Sequence, residues 1–324
     1  MRILNDYNLL QHNTFGINAC CKEFIEYESL DELKEIAATL QAPYLHIGGG
    51  SNLLFAHDYN GTILHCAIKG ITPLGDNLIE VGGGEIWDDV VDYCVSNGYY
   101  GAENLSLIPG ETGAAAVQNI GAYGAEIKDI IAWVDVFHLP SRTTQRMMTS
   151  ECLYAYRSSI FKTKLKDQCA VYSVTLRLQS EFTPRLDYFK DSVNIASAKE
   201  LREHIINTRN SKLPDPKITG NAGSFFMNPI ISEEKFISLQ SQYPTIPHYP
   251  APDGIKIPAG WMIEQCGWKG KSKGNAGVYS KQALVLVNNG DADGEEIISL
   301  CQTIQKDVME KFGISITPEV KIVR

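Results

Sequence analysis

Apolar and polar positions follow two periods along this chain. From Ser29, the apolar residues Leu30, Leu33, Ile36, Ala37 and Leu40 recur at the spacing of one helix face. Ser29-Leu30-Asp31-Glu32 has the form of a capping box, so the spacing predicts a helix that Pro43 stops. Ile86, Trp87, Val90, Val91, Cys94 and Val95 make a second helical face, closed by Asn97-Gly98. A third helix centres on 201–208, a short one covers 259–267, and Ile297, Leu300, Ile304, Val308 and Phe312 line the last. Alternation and short apolar runs predict strands at Tyr44–Ile47, Leu53–Phe55, 61–66, 78–81, 130–137, 170–178, 283–287 and over the chain end, 314–324. Pro140-Ser141-Arg142 marks a hairpin tip, with 146–149 returning. Residues 4–15 read as an irregular lead-in, and the proline-rich stretch 243–258 as an extended loop.

Three stretches interrupt this pattern. Gly48-Gly49-Gly50-Ser51-Asn52 splits one strand from its continuation, and successive backbone N–H groups there can converge on an anion. It is not a G-x-G-x-x-G that opens a helix, which disfavours a nicotinamide-type dinucleotide site; a plain glycine turn is the alternative. The run from Gly101 to Gly124 is long, small-residued and nearly free of charge. Backbone so bare can lie flat against a planar cofactor with a pyrophosphate, with Thr112, Gln118 and Asn119 as hydrogen-bonding groups; a tightly packed connection is the other account. Gly220-Asn221-Ala222-Gly223-Ser224-Phe225-Phe226-Met227-Asn228-Pro229 sets a polar Ser224 between glycines and two aromatics. It is either a glycine turn leading into a strand or a site where a serine works out of water. Arg157 stands among Tyr154, Tyr156 and Phe161, as a structural stacker or a clamp for a carboxylate. The basic loop Lys269-Gly270-Lys271-Ser272-Lys273-Gly274 is either solvated or a phosphate contact. Lys212-Leu213-Pro214-Asp215-Pro216 is rigid and looks like a domain boundary.

Composition narrows the class. The chain has 324 residues, 44% hydrophobic and 21% charged, which suits a globular protein of two domains. A net charge of −9 with no Lys/Arg block argues against a nucleic-acid partner. No apolar run has the length of a membrane span, and the N-terminus lacks the form of a signal peptide. The eight cysteines are scattered without a C-x-x-C, as expected of free thiols in a reducing cytoplasm. The seven histidines show no metal-ligand spacing, so no metal is expected.

Several long motifs in order carry a resemblance: strand-Gly-Gly-Gly-Ser-Asn-strand, then Pro109-Gly110-x-x-Gly113 with Gln118-Asn119-Ile120-Gly121-Ala122-Tyr123-Gly124, then Tyr156-Arg157-x-Ser159-Ile160-Phe161-Lys162. Lys212-Leu213-Pro214-Asp215-Pro216, the Gly220–Pro229 stretch and a terminal Pro318-Glu319-Val320 complete it. From about Thr14 to Lys321 the chain resembles the UDP-N-acetylenolpyruvoylglucosamine reductases, flavoenzymes of bacterial cell-wall precursor synthesis. The resemblance implies an α+β fold: an FAD-binding fold of the vanillyl-alcohol-oxidase (PCMH) type with a smaller α+β substrate-binding domain. Residues 1–208 would bind FAD in two lobes, 1–68 and 69–208; 209–312 would bind substrate; 313–324 would return to the flavin side as a strand. FAD would be held without a covalent bond by Gly48, Gly49, Gly50, Ser51, Asn52, Leu53, Pro109, Gly110, Thr112, Gly113, Ala114, Gln118, Asn119, Gly121, Ala122 and Val171.

The implied reaction is ping-pong. NADPH passes a hydride to FAD and leaves; the reduced flavin then gives a hydride to C3 of UDP-N-acetylglucosamine enolpyruvate, and the product is UDP-N-acetylmuramate. Charge pushed into the enolpyruvyl carboxylate needs preorganised stabilisation. Arg157 matches the family position that contacts that carboxylate, and Glu319 matches the carboxyl group on the other side of the intermediate. To help rather than repel, Glu319 must be protonated, which requires a raised pKa. Ser224 matches the proton donor to C2; a serine is a weak acid, but the intermediate is a strong base, so placement outweighs acidity. Lys212, Asn228 and Gln282 match positions that bind the UDP-sugar or assist Ser224, and Tyr188 matches a tyrosine over the diphosphate in one subtype. The chain ends five residues after Glu319, where some relatives run on. The resemblance further implies a cytoplasmic monomer. The rival readings are another flavin-dependent oxidoreductase of this fold, such as an alcohol or hydroxy-acid oxidase, and a non-catalytic flavin-binding protein.

Overall fold

The computed structural model describes residues 1–189 and 194–324. The chain forms two compact units: 1–7, 21–50 and 60–211 make the first, and 8–20, 51–59 and 212–324 the second. A division at 208/209 falls inside the helix Ala198–Lys212, and the units part at 211/212 instead. The chain also leaves the first unit immediately after Gly50 and re-enters it at Asn60.

The first unit is built on two sheets. One has the strand order Arg2–Asn8, Cys20–Tyr27, Tyr59–Cys66, Tyr44–Ile47, with the last pair parallel. The helix Leu30–Thr39 closes on it, burying Leu33, Ile36 and Ala37 against Tyr27, Leu64 and Cys66. Ser29 Oγ accepts from the Glu32 N–H at 3.2 Å, as the sequence predicts, but Glu32 reaches back to the Glu28 N–H, one residue before the cap. The second sheet is antiparallel, in the order Thr143–Met148, Ile131–His138, Cys169–Arg177, Leu78–Gly82, Ile71–Gly75. The helix Trp87–Ser96 lays Trp87, Val90, Val91 and Cys94 on Val134, Val174, Leu176 and Ile79. Trp87 is fully buried and its indole N–H donates to the Leu105 carbonyl at 3.0 Å, so it is core.

The second unit carries an antiparallel sheet ordered Gly220–Ser224, Val285–Asn288, Ala276–Val278, Ser272–Lys273. A smaller sheet of Ile230–Ile231, Gly254–Lys256 and Tyr249–Ala251 stands beside the helix Glu233–Gln242 in the sequence. Leu53–Phe55 pairs in parallel with Lys321–Val323, joining the loop after the glycine run to the end of the chain. The long helix Gly294–Phe312 buries Ile297, Leu300, Ile304, Val308 and Phe312, and its Asp293 N-cap forms a full capping box with Glu296.

Four expectations change. Residues 4–15 hold the end of an edge strand, Arg2–Asn8, and a 3-10 turn, Leu9–His12; the strand is mostly exposed, so no apolar alternation marks it. The bare run 101–124 contains the helix Thr112–Gln118, where three successive alanines, the best helix formers, outweigh Gly113. The stretch 243–258 is a hairpin, with Pro250 on an edge strand where its missing N–H costs no ladder bond. The terminal strand is only Lys321–Val323, so Glu319 precedes it. The strand Cys20–Tyr27 and the helix Glu233–Gln242 are additional; Ser232, which accepts from the Lys235 N–H, is the cap that could have announced the helix.

The start of the long helix is a close backbone approach. A Cβ on Gly294 would fall on the Phe55 carbonyl oxygen and 2.6 Å from Ala56 Cα. Gly294→Ala is expected to cost about 1–3 kcal/mol, because neither neighbour is a flexible side-chain end. Urea unfolding of the full-length protein measures it, and an unchanged midpoint would show that the backbone yields.

Candidate functional site

In the first unit the glycine loop lies against the segment that opens the helix Thr112–Gln118. A Cβ on Gly48 would stand 2.7 Å from Ala114 Cβ and 3.2 Å from Glu111 Oε2, and one on Gly49 would stand 3.6 Å from Gly110 Cα. Gly48 therefore has no room for a side chain. The next residue, Gly50, is buried with φ +67°. The helix is fixed from below. Thr112 donates from both its N–H (2.8 Å) and Oγ1 (3.1 Å) to the Glu85 carbonyl, and the Gly113 N–H donates to the Gly83 carbonyl at 2.8 Å. A Cβ on Gly113 would come 3.0 Å from the carbonyl oxygen of the buried Val171. Thr112, Gly113 and Val171 are thus held together at the start of the helix. Gly48, Gly49 and Gly110 present nearly bare backbone there; Ala114 is half-buried and Pro109 exposed.

The far end of the same helix positions Arg157. Asn119 is fully buried at φ +49°, and its amide nitrogen donates to Glu126 Oε2 (3.1 Å) and the Ala155 carbonyl (2.8 Å). Ser159 Oγ donates to the Val117 carbonyl at 2.6 Å. These bonds hold a four-residue turn in which Ala155 and Ser158 exchange backbone hydrogen bonds at 3.0 Å. Arg157 occupies its third position at φ +53°, a conformation a non-glycine residue rarely adopts. Its Nη2 donates to the Gly121 carbonyl at 2.6 Å, and its guanidinium carbon stands 5.1 Å from the Tyr156 ring centroid. Lys162 ties the turn to the helix by donating to Gln118 Oε1 (2.7 Å) and the Arg157 carbonyl (2.9 Å). Gly121 and Ala122 form a short strand paired with Ala125–Glu126. Tyr188, 57% exposed, meets Tyr123 edge-on at 5.5 Å.

The second unit assembles a different group. Gly220–Ser224 pairs with Val285–Asn288 through an irregularity between Asn221 and Ser224, where Gly223 has φ +67°. The chain past Ser224 is held on both sides. The Phe225 N–H donates to the Leu284 carbonyl at 2.8 Å, while the Phe225 carbonyl accepts from the Glu319 N–H at 2.8 Å. The Met227 N–H donates to the Thr317 carbonyl at 2.9 Å. Ser224 and Glu319, far apart in sequence, are thereby neighbours across one ladder. Ser224 is exposed, and among the described residues its hydroxyl has no hydrogen-bond partner. Phe225 and Phe226, which follow it, are fully buried. Gln282 Oε1 accepts from the Leu284 N–H at 3.2 Å, and Asn228 Oδ1 accepts from the Ala259 N–H at 2.9 Å. Asn52 belongs to this unit: its carbonyl accepts from the Lys321 N–H at 3.0 Å and its side chain donates to the Glu319 carbonyl at 3.4 Å. Leu53 is buried in the adjoining parallel strand, and Ser51 is half-buried. Lys212 is exposed at the end of its helix. Arg157 belongs to the first unit, Ser224 and Glu319 to the second.

Sequence reasoning missed one cluster. His65 Nδ1 lies 2.9 Å from Glu26 Oε2, and its Nε2 lies 2.9 Å from Glu111 Oε1. Burial disfavours the charged imidazole, but the hydrogen bonds and charges of Glu111 and Glu26 outweigh it and hold the His65 pKa above its ordinary value. The one available signal was Glu111, an acid inside a run otherwise nearly free of charge. Among the described residues no group of three His, Cys, Asp or Glu is arranged to hold a metal ion, and no helix is long and apolar enough to cross a membrane.

The chain resembles known proteins over its whole length. A family model described as UDP-N-acetylenolpyruvoylglucosamine reductase, C-terminal domain, matches residues 215–323, and one described as FAD binding domain matches residues 23–146. A UDP-N-acetylenolpyruvoylglucosamine reductase of Bacteroides fragilis is 50% identical over 329 residues, covering 98% of this chain and 99% of the relative. One from Porphyromonas gingivalis is 46% identical over 337 residues, covering all of both chains. A crystal structure of UDP-N-acetylenolpyruvylglucosamine reductase from Thermus caldophilus superposes with a TM-score of 0.73 over the full length of both chains at 22% identity.

The Arg157 turn hangs on Asn119. Asn119→Ala would remove the amide's bonds to the Ala155 carbonyl and to Glu126 and force alanine into the left-handed region, and is expected to cost about 2–4 kcal/mol. Asn119→Gly would keep the backbone and lose only the bonds, so its unfolding midpoint should lie between wild type and Asn119→Ala. Equal midpoints for all three would show that the turn is held by other contacts.

Proposed function

The chain belongs to the UDP-N-acetylenolpyruvoylglucosamine reductase family, and from that membership we propose that it uses NADPH to convert UDP-N-acetylglucosamine enolpyruvate to UDP-N-acetylmuramate. It has the α+β FAD-binding fold of the vanillyl-alcohol-oxidase type, and its chemistry is FAD-dependent reduction in peptidoglycan precursor synthesis. The observation that carries the finer reading is the backbone bond from Glu319 to Phe225, which makes the segment bearing Glu319 a direct neighbour of the strand end bearing Ser224.

The first unit fits FAD. Gly48, which has no room for a Cβ, and the bare backbone of Gly49 and Gly110 would let a pyrophosphate lie close. Gly48, Gly49, Gly50, Ser51, Asn52 and Leu53 would hold it with Pro109, Gly110, Ala114, Gln118, Gly121 and Ala122, together with Thr112, Gly113, Asn119 and Val171. FAD, when bound, supplies the hydride relay between NADPH and the enolpyruvyl sugar.

The chain's own residues do the rest. Arg157, aimed by Gly121 and Tyr156, pairs with the substrate carboxylate as negative charge builds there. Glu319 in its protonated form donates a hydrogen bond to the same developing charge, and Ser224 Oγ delivers its proton to C2. Lys212, Gln282 and Asn228 bind the UDP-sugar or assist Ser224, and Tyr188 covers the diphosphate. The same reading makes the protein a cytoplasmic monomer that works without a metal.

Anaerobic absorbance tests this. In the FAD-loaded protein, NADPH should bleach the flavin band near roughly 450 nm, and UDP-N-acetylglucosamine enolpyruvate should restore it. Bleaching without recovery would point to another electron acceptor and an oxidase of the same fold. Ser224→Ala should leave bleaching by NADPH near wild type and slow recovery by about 10²–10⁴-fold. Unchanged rates in both halves would remove Ser224 as the donor.

A further inference from the structure

The chemistry above leaves the Glu26, His65 and Glu111 cluster of the first unit unused. His65 is on the strand Tyr59–Cys66 and its side chain is 10% exposed. Both ring nitrogens face carboxylate oxygens at 2.9 Å. A neutral imidazole has one donor and one lone pair, so it would turn that lone pair on a carboxylate; the imidazolium donates to both. The geometry therefore selects the charged ring, and the raised His65 pKa agrees with it.

Other groups bear on this ring only weakly. Arg2 lies 3.6 Å from Glu26 Oε1, but its side chain is half exposed and screened. Tyr27 is bonded to His46 at 2.7 Å, and burial pushes its pKa well up. The Cys66 thiol is pushed up to about 11, chiefly by burial, and stays neutral. Phe24 stacks on the ring with centroids 6.0 Å apart. His65 is thus the titratable cation for two carboxylates.

Glu111 faces the glycine loop. Its Oε2 is buried without a hydrogen-bond partner and lies 3.2 Å from the Cβ position of Gly48, while its Oε1 lies 3.8 Å from that of Gly49. A carboxylate in this place would repel any anion on the loop unless its charge were cancelled.

We propose that His65 is a positioning residue of the cofactor site: as the imidazolium it holds Glu111 under Gly48 and Gly49 and cancels its charge, which lets the loop accept the FAD pyrophosphate. This rests on the reading that FAD lies on the Gly48-Gly49-Gly50 loop. The sign follows directly. Below the ordinary imidazole pKa of 6.5 the His65 charge is fully present, and it is lost as the pH rises through the raised value. The pyrophosphate keeps a constant charge over that range, so affinity for FAD falls with rising pH.

Equilibrium dialysis of the full-length protein against FAD, from about pH 6 to about pH 9, tests this with His65→Gln, Glu111→Gln and the double variant. Wild-type affinity should fall about tenfold over the range, as expected for one uncompensated charge near an anion. His65→Gln should be about tenfold weak at every pH, and Glu111→Gln tight and flat. The double variant should match Glu111→Gln, because a neutral residue 111 leaves nothing to cancel. A flat wild-type profile, a slope that survives in either single variant, or a double variant as weak as His65→Gln would overturn the proposal. If His65→Gln fails to fold, the near-isosteric Glu111→Gln still decides: persistence of the wild-type slope overturns the idea and its loss supports it. Absence of FAD binding at any pH would overturn the cofactor assignment itself, and this role with it.

Discussion

The close approach of glycine backbone to its neighbours is the constraint on which the candidate site depends. At Gly48, Gly83 and Gly113 a Cβ would meet a neighbour at 2.7, 2.6 and 3.0 Å, respectively. These contacts seat the helix Thr112–Gln118 on the Gly83 and Val171 carbonyls and press the glycine loop on Ala114 and Glu111. Everything downstream inherits that position: Asn119 ends the helix in the left-handed region, its amide holds the Ala155 carbonyl, and the turn between Ala155 and Ser158 presents Arg157. Local strain at Asn119 and Arg157 is carried by the buried hydrogen bonds around them, not by either residue's own preference.

The second unit uses ladder geometry in place of close packing. Segment 317–319 hydrogen-bonds Phe225 and Met227 on one side, and Leu284 holds Phe225 on the other. Side chains that matter to the proposed chemistry stand on these paired backbones. Their spacing is therefore set by main-chain hydrogen bonds, which tolerate sequence change better than side-chain contacts do. The buried Phe225 and Phe226 anchor the ladder just past Ser224.

Electrostatics bears on the first unit as well. The chain carries a net charge of −9, yet the loop assigned to an anion sits on a carboxylate. An imidazolium between Glu26 and Glu111 reconciles the two. Such an arrangement would place cofactor retention under the control of a titrating imidazole, whereas the backbone nest has no titrating part.

The amino-acid order alone determined the helices Leu30–Thr39, Trp87–Ser96 and Gly294–Phe312, because their apolar faces repeat at 3.6 residues and their caps are local. It also singled out the glycine loop, Arg157, Ser224 and Glu319, through motifs long enough to identify a family, although each taken alone admitted a structural reading. Where the signal was weak, local reading failed for a physical reason. The exposed edge strand Arg2–Asn8 has no apolar face to alternate, and Pro250 reads as a breaker until the sheet shows that it lies on an edge. Tertiary structure alone decided that the terminal segment pairs with Phe225, and that His65, Glu26 and Glu111, from three separated segments, meet under one loop. Neither could be read along the chain, since contacts between distant segments are set by how the sheets pack and not by any local period.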